Sequence, residues 1–130
     1  MITPKHLAIL GSTGSIGTQA LDVVRAHPAH FQIEVLTGNG NAELLVNQAL
    51  EFKPNAVVIA DEDKYAFVKE ALRNEDIKVF AGQDAISQVV TMENIDMVLT
   101  AIVGYAGLAS TLEAIKAGKQ IALANKETLV

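Results

Sequence analysis

Three glycines near the beginning of the chain have the spacing of a phosphate-binding loop. They lie in the stretch Gly11 to Gly17, which follows the apolar run Leu7–Leu10 and opens a segment of helical period. A pyrophosphate at such a turn needs close approach to the main chain and free N–H groups at a helix N-terminus. Gly14 leaves space where the phosphate would contact the backbone, and Gly17 allows the helix to pack closely on the sheet. The pattern predicts a dinucleotide site; a strand–helix turn without a ligand is the alternative.

Other polar residues are placed to reach a ligand at the same edge of a parallel sheet. Within the loop, Ser12, Thr13 and Ser15 are expected to add hydroxyl donors. The segment Asn125 to Glu127 follows the last apolar run, and parallel sheets bind ligands at the carboxyl ends of their strands. Lys126 is a candidate ligand for a phosphate or carbonyl oxygen of a substrate. A surface Lys–Glu pair at a helix start is the equally weighted alternative.

The end of the second predicted strand bears on the choice of cofactor. An NAD-selective site usually places Asp or Glu there, where it binds the ribose hydroxyls. The stretch Thr37 to Asn41 contains no carboxylate, so a 2′-phosphate would meet small residues and neutral donors. NADP is therefore favoured, although no Lys or Arg in this stretch pairs with the phosphate. Glu34, within the strand, is expected to be solvated or edge-facing rather than a ribose ligand.

Short apolar runs alternate with helical segments along the whole chain, which predicts βαβ units. The six predicted strands are 7–10, 33–36, 56–59, 77–81, 97–100 and 121–124. We expect a doubly wound, Rossmann-like parallel sheet with helices on both faces and no internal domain boundary.

The helices between these strands are predicted from their apolar spacing and their capping residues. The apolar residues expected to form one stripe of the first helix are Ile16, Ala20, Val23 and Val24. Asn41 is expected to cap the second helix, whose apolar face holds Leu45, Ala49 and Phe52. The acids from Asp61 to Asp63 favour the start of a third helix over a metal site. The last predicted helix carries Leu108, Leu112 and Ile115, and Gly118 ends it.

Composition excludes several classes of function. The 130 residues have a net charge of −5 and no basic run, so broad attraction to nucleic acid or anionic lipid is not expected. The absence of cysteine from the sequence excludes a disulfide framework and a cysteine nucleophile within this chain. No apolar run is long enough to span a membrane, and the N-terminus lacks the apolar region of a signal peptide, so a cytoplasmic protein is expected.

Three separated motifs, in order, resemble the 1-deoxy-D-xylulose 5-phosphate reductoisomerase family. They are the glycine loop with Leu21 to Val24, the segment from Ala101 to Leu108, and the segment from Leu123 to Val130. The resemblance spans the chain and is specific to the N-terminal NADPH-binding domain. It implies that residues 1–130 are a fragment whose catalytic and C-terminal regions lie beyond Val130.

The resemblance also implies a reaction and a set of contacts. The family rearranges 1-deoxy-D-xylulose 5-phosphate to an aldehyde and reduces it with NADPH to 2-C-methyl-D-erythritol 4-phosphate, in the non-mevalonate route to isoprenoids. By resemblance, the residues at the pyrophosphate side of NADPH are Thr13, Gly14, Ser15 and Ile16. Those at the adenosine ribose and its 2′-phosphate are Asn39, Gly40 and Asn41. Asn125 and Glu127 would also contact the cofactor, and Lys126 the sugar phosphate substrate.

Further properties follow from the same resemblance. A divalent metal, Mg or Mn, is held by residues beyond this chain, and a homodimer is expected. Family members often carry a basic or hydroxyl residue where this chain has Gly40, which offers main chain only. The isolated fragment is expected to bind cofactor without turning over substrate. Two alternatives are a non-enzymatic NAD(P)-sensing module and a semialdehyde dehydrogenase, which would need a cysteine nucleophile outside this chain.

Overall fold

In the part of the chain that the structure describes, six strands form a single parallel sheet. The computed structural model of the chain describes residues 3–101, 110, 114 and 117–123. The strands are β1 (Lys5–Leu10), β2 (Phe31–Gly38), β3 (Ala56–Ile59), β4 (Lys78–Ala81), β5 (Met97–Thr100) and β6 (Gln120–Leu123). Their spatial order is β4-β3-β2-β1-β5-β6, and every neighbouring pair is parallel. The sheet grows in one direction from β1 to β4 and in the other from β5, which confirms the doubly wound α/β fold.

Helices connect the strands. They are α1 (Ser15–Ala26), α2 (Ala42–Phe52), α3 (Tyr65–Ala71) and α4 (Gln83–Val89), with a 3-10 turn at Glu62–Lys64 before α3. The predicted helix residues Leu108, Leu112 and Ile115 lie outside the described residues. Gly118 adopts φ +79° and the Lys119 N–H donates to the Ala114 carbonyl at 3.1 Å, the geometry of a helix C-terminus. In the described part of the chain, no helix is both long and apolar enough to cross a bilayer.

Both faces of the sheet are covered. Alternate residues of β1 point to opposite faces: Leu7 and Ile9 pack with α1, α2 and α3, whereas Ala8 and Leu10 pack with α4. Each large aliphatic side chain buried in this way stabilises the fold by about 1.5–3 kcal/mol relative to exposure. The near-continuous apolar strands of the sequence are explained by this burial on two sides, as predicted.

The rotation of α1 differs from the predicted apolar stripe. Its buried residues are Gly17, Leu21 and Val24, whereas Ile16 and Val23 are 39% and 54% exposed. The expectation that Ile16 and Val23 face the core is therefore wrong. The helix is turned so that Gly17, which has no side chain, lies against the preceding loop, and this rotation places Ile16 and Val23 on the outer side.

Glu34 is buried, not solvated. It is 2% exposed and lies at a bulge in β2, where the pairing register with β1 shifts. Its carboxylate accepts hydrogen bonds from His6 Nδ1 at 2.6 Å, from Asn94 Nδ2 at 2.8 Å and from the side-chain amides of Asn55 and Gln32. These partners lie near the amino ends of the strands, away from the glycine loop. The expectation of a solvated or edge-facing Glu34 is wrong, because β2 is an interior strand and the side chain is fully partnered.

Candidate dinucleotide-binding site

The glycine loop is tied to the carboxyl end of β2. Gly11 adopts φ +82°, a conformation that favours glycine, and the Gly14 N–H donates to the Gly11 carbonyl at 3.2 Å to close the turn. The N–H groups of Gly11 and Ser12 both donate to the Thr37 carbonyl, at 3.1 and 2.8 Å. The tight turn predicted from the sequence is present, and β2 fixes its position.

Gly17 permits the close approach of α1 to this loop. A Cβ atom built on Gly17 would lie 2.1 Å from the Gly11 carbonyl oxygen and 2.6 Å from Ser12 Cα, both main-chain atoms. No residue other than glycine fits there without moving the backbone. The predicted packing role of Gly17 is confirmed, with the closest contact made to the loop at the end of β1.

The N-terminus of α1 is open to a ligand. Gly14 is the N-cap residue and provides no side-chain cap. Within the described ranges, the main-chain N–H groups of Ser15, Ile16 and Gly17 form no hydrogen bond. Gly14, Ser15 and Ile16 are exposed, and a Cβ on Gly14 would meet only the Gly11 carbonyl oxygen, at 3.6 Å. Unpaired donors, the positive end of a helix dipole and an uncrowded backbone fit an anionic group such as a diphosphate.

The segment predicted to bind the adenosine ribose, Asn39 to Asn41, follows β2 and lies beside the glycine loop. Leu10 at the end of β1 pairs with Thr37 of β2, and the Thr13 side chain lies over Gly38, 3.1 Å from where a Cβ atom would be. The carbonyl groups of Gly38 and Asn39 accept hydrogen bonds from the start of the β3–α3 connection, at 2.8 and 2.9 Å. The structure therefore brings the glycine loop and the end of β2 together at one edge of the sheet.

Asn41 caps α2, as the sequence predicts. Its Oδ1 accepts a hydrogen bond from the Leu44 N–H at 3.2 Å, and among the described residues its Nδ2 group makes no hydrogen bond to the helix. Asn39, Gly40 and Asn41 are all exposed, and a Cβ on Gly40 would have no neighbour within 4 Å. This segment can offer neutral donors to a phosphate, and it has room for a larger ligand or side chain at Gly40.

Ser12 does not face the ligand side of the loop. Its side chain is fully buried, and its hydroxyl donates to Gln48 Oε1 at 2.7 Å. The expectation that Ser12 adds a donor for phosphate is wrong, because its hydroxyl donates a hydrogen bond to a residue of α2 instead. Gln48 itself was not predicted; the available signal is a polar residue within the apolar face that Leu45 and Ala49 define.

A charged contact joins the two helices that flank the loop. Arg25 of α1 donates two hydrogen bonds to Glu51 of α2, from Nε to Oε2 at 2.5 Å and from Nη2 to Oε1 at 2.9 Å. The guanidinium holds the pKa of the Glu51 carboxyl below its ordinary value. Both side chains are about half exposed, so water screens the interaction and limits its contribution to stability.

Two further groups of polar residues singled out in the sequence are the segment Asn125 to Glu127 and the acids from Asp61 to Asp63. Asn125, Lys126 and Glu127 lie outside the described residues, after β6 ends at Leu123. Asp61 caps the 3-10 turn, with Oδ1 accepting from the Asp63 N–H at 3.1 Å, so the interpretation of the acids as a helix start is confirmed. No cluster of three metal-ligating side chains occurs in the described ranges.

Comparison with known proteins decides the family. The family model described as 1-deoxy-D-xylulose 5-phosphate reductoisomerase matches residues 7–130. The chain belongs to this family. Reductoisomerases of Phocaeicola vulgatus and Bacteroides fragilis are 60% and 59% identical to it over 97% and 99% of its length. The chain spans about a third, 33%, of each of these two relatives.

Solved structures agree with the assignment of the chain to this family. The enzyme from Zymomonas mobilis, in complex with NADPH, matches 98% of this chain and 33% of its own with a TM-score of 0.91 at 40% identity. A reductoisomerase in complex with NADPH, fosmidomycin and magnesium matches 96% of this chain and 31% of its own, with a TM-score of 0.91 at 41% identity. The Rossmann-like fold is thus shared with relatives that bind NADPH.

Proposed function

We propose that residues 1–130 are the NADPH-binding domain of a reductoisomerase that converts 1-deoxy-D-xylulose 5-phosphate to 2-C-methyl-D-erythritol 4-phosphate. The bound NADPH supplies the hydride for the reduction step. The observation that carries the proposal is the uncapped, exposed N-terminus of α1, which lies beside the exposed segment Asn39 to Asn41. The rearrangement and reduction would also need metal ligands and further substrate contacts from the part of the relatives' length that this chain does not span.

In this proposal, two groups of described residues would hold different parts of the cofactor. Thr13, Gly14, Ser15 and Ile16 would hold the diphosphate, supported by the unpaired N–H groups of Ser15 and Ile16 and by the open space over Gly14. Asn39, Gly40 and Asn41 would hold the adenosine ribose and 2′-phosphate. Because this loop carries no carboxylate, it does not repel the extra phosphate of NADPH.

The other parts of the proposal rest on the family. Asn125 and Glu127 would contact the cofactor and Lys126 the substrate, near the carboxyl edge at which β6 ends. Mg or Mn would be held by residues outside this chain, where it supplies Lewis acidity at the substrate oxygens. The enzyme would act as a homodimer in the cytoplasm, where NADPH and sugar phosphates are available.

Two titrations test the function. The protein in its natural full length should bind NADPH at least about tenfold more tightly than NADH, the gain expected from charge-assisted hydrogen bonds to the 2′-phosphate. With magnesium and the sugar phosphate it should oxidise NADPH. Equal affinity for the two cofactors would contradict the roles given to Asn39, Gly40 and Asn41. Tight NADPH binding without turnover would favour a sensing module instead.

A further inference from the structure

Gln48 of α2 makes two hydrogen bonds to one residue of the glycine loop. The Ser12 hydroxyl donates to Gln48 Oε1 at 2.7 Å, and Gln48 Nε2 donates to the Ser12 carbonyl oxygen at 2.9 Å. The orientation of the amide is fixed, because a carbonyl oxygen only accepts and must therefore face the NH2 group. Both residues are buried, Ser12 at 0% and Gln48 at 6% exposure. A buried pair of this kind holds the loop in one conformation.

The bond to the Ser12 carbonyl determines which way the next N–H group points. A trans peptide is planar, so its C=O and N–H groups point in opposite directions. Gln48 draws the Ser12 carbonyl inward toward α2, and the Thr13 N–H is thereby turned outward. In the described part of the chain, the Thr13 N–H forms no hydrogen bond. It lies next to Gly14, the exposed N-cap of α1.

We propose that Gln48 is a positioning residue for cofactor binding: it orients the Ser12–Thr13 peptide so that the Thr13 N–H donates to the diphosphate. The inference rests on the proposed NADPH site and adds a residue that does not contact the ligand. Without Gln48 the Ser12 carbonyl loses the hydrogen bond that holds it inward. A rotation of the Ser12–Thr13 peptide would turn this oxygen toward the anion and repel it. The same helix begins at the cap residue Asn41, so α2 supports both cofactor subsites.

Ligand fragments distinguish this role from a general contribution to stability. Gln48→Met keeps the length of the side chain and removes both hydrogen bonds. In the full-length protein, calorimetry should show binding of NADPH and adenosine 5′-diphosphate weakened about tenfold, the size expected when two neutral hydrogen bonds no longer restrain the loop. Binding of adenosine 2′-monophosphate, which has no diphosphate, should be unchanged. Val46→Ala, a core substitution in the same helix, is the matched control and should leave both fragments unaffected.

Gln48→Glu adds a pH profile that a purely structural role would not produce, and it serves if Gln48→Met does not fold. A carboxylate accepts from the Ser12 hydroxyl but cannot donate to the Ser12 carbonyl, whereas a neutral carboxylic acid can. Because burial raises the pKa of a carboxyl group, diphosphate affinity relative to wild type should recover as pH falls from about 8 to about 5.5.

The possible outcomes separate this inference from the function on which it rests. Wild-type affinity for adenosine 5′-diphosphate in both Gln48 variants, or equal loss of both fragments, would overturn the positioning role alone. Failure of the wild-type protein to bind NADPH would overturn the proposed function together with this inference.

Discussion

Alanine at Gly17 and alanine at Gly14 should damage the protein in two different ways. At Gly17 the new Cβ would lie 2.1 Å from the Gly11 carbonyl oxygen and 2.8 Å from the Ser12 carbonyl carbon. These are main-chain atoms, so the helix or the loop must move. Overpacking of this kind costs about 1–3 kcal/mol, and contacts this short place Gly17→Ala at or above the upper end.

Alanine at Gly14 meets no such obstacle within the chain. Its backbone, at φ −80° and ψ 173°, suits any residue, and the nearest atom to a new Cβ lies 3.6 Å away. Gly14→Ala should therefore change the free energy of unfolding by less than about 1 kcal/mol, because alanine has less freedom in the unfolded chain but is a poorer N-cap residue than glycine. NADPH affinity should nevertheless fall at least about tenfold, since the methyl group would occupy the space of the diphosphate.

Thermal unfolding and an NADPH fluorescence titration on both variants separate the two effects. We expect Gly17→Ala to lower the melting temperature and Gly14→Ala to leave it nearly unchanged while weakening NADPH binding. The larger variant Gly14→Val should block binding with the fold largely retained. Wild-type NADPH affinity in a folded Gly14→Ala protein would refute the placement of the diphosphate, and an unaltered melting temperature for Gly17→Ala would refute the close packing of α1 on the loop.

Three further predictions concern the second subsite and the stability of the fold. Gly40→Arg should raise the preference for NADPH over NADH about tenfold in paired titrations, because the position has free space and arginine pairs with phosphate; no gain would argue that the 2′-phosphate binds elsewhere. Glu34→Gln should lower the free energy of unfolding, measured in urea, by about 1–3 kcal/mol. The buried carboxylate accepts several hydrogen bonds, and the NH2 group of glutamine would face these same donors. An unchanged urea midpoint would show that these hydrogen bonds do not stabilise the fold. Arg25 lowers the pKa of Glu51 in the folded state, so the stability from this pair is present above the unfolded pKa and is lost as pH falls through the folded pKa. In Glu51→Gln, the free energy of unfolding should therefore fall slightly less steeply as the pH is lowered. The same pH dependence in wild type and variant would contradict this contribution.

The positions of the strands along the chain were largely predictable because both faces of this sheet are buried. Ala56–Ile59 is apolar throughout and Met97–Thr100 is apolar up to its last residue, and the structure forms strands over these same bounds. The rotation of α1 was not predictable from periodicity, since an apolar stripe through Ile16 and Val23 has the spacing of a helix face just as one through Leu21 does. What decides the rotation is the contact of Gly17 with the loop, a tertiary feature that the sequence does not display.

The candidate site was predictable where main-chain geometry defines it. The turn, the role of Gly17 and the cap at Asn41 follow from residue type and spacing, and the structure confirms them. The side-chain partners were not predictable, because they depend on contacts between distant segments. The sequence suggests that the Ser12 hydroxyl donates to the ligand, whereas in the structure it donates to Gln48 of α2 in the interior.

The proposed cofactor site depends on main-chain N–H groups at the N-terminus of α1 that hold the diphosphate of NADPH. A crystal structure of the full-length protein with NADPH is the decisive test. We expect diphosphate oxygens within hydrogen-bond distance of the Ser15 and Ile16 N–H groups, with the 2′-phosphate at the segment Asn39 to Asn41. A cofactor bound elsewhere, or a loop occupied by a neighbouring side chain while NADPH is present at saturation, would contradict it.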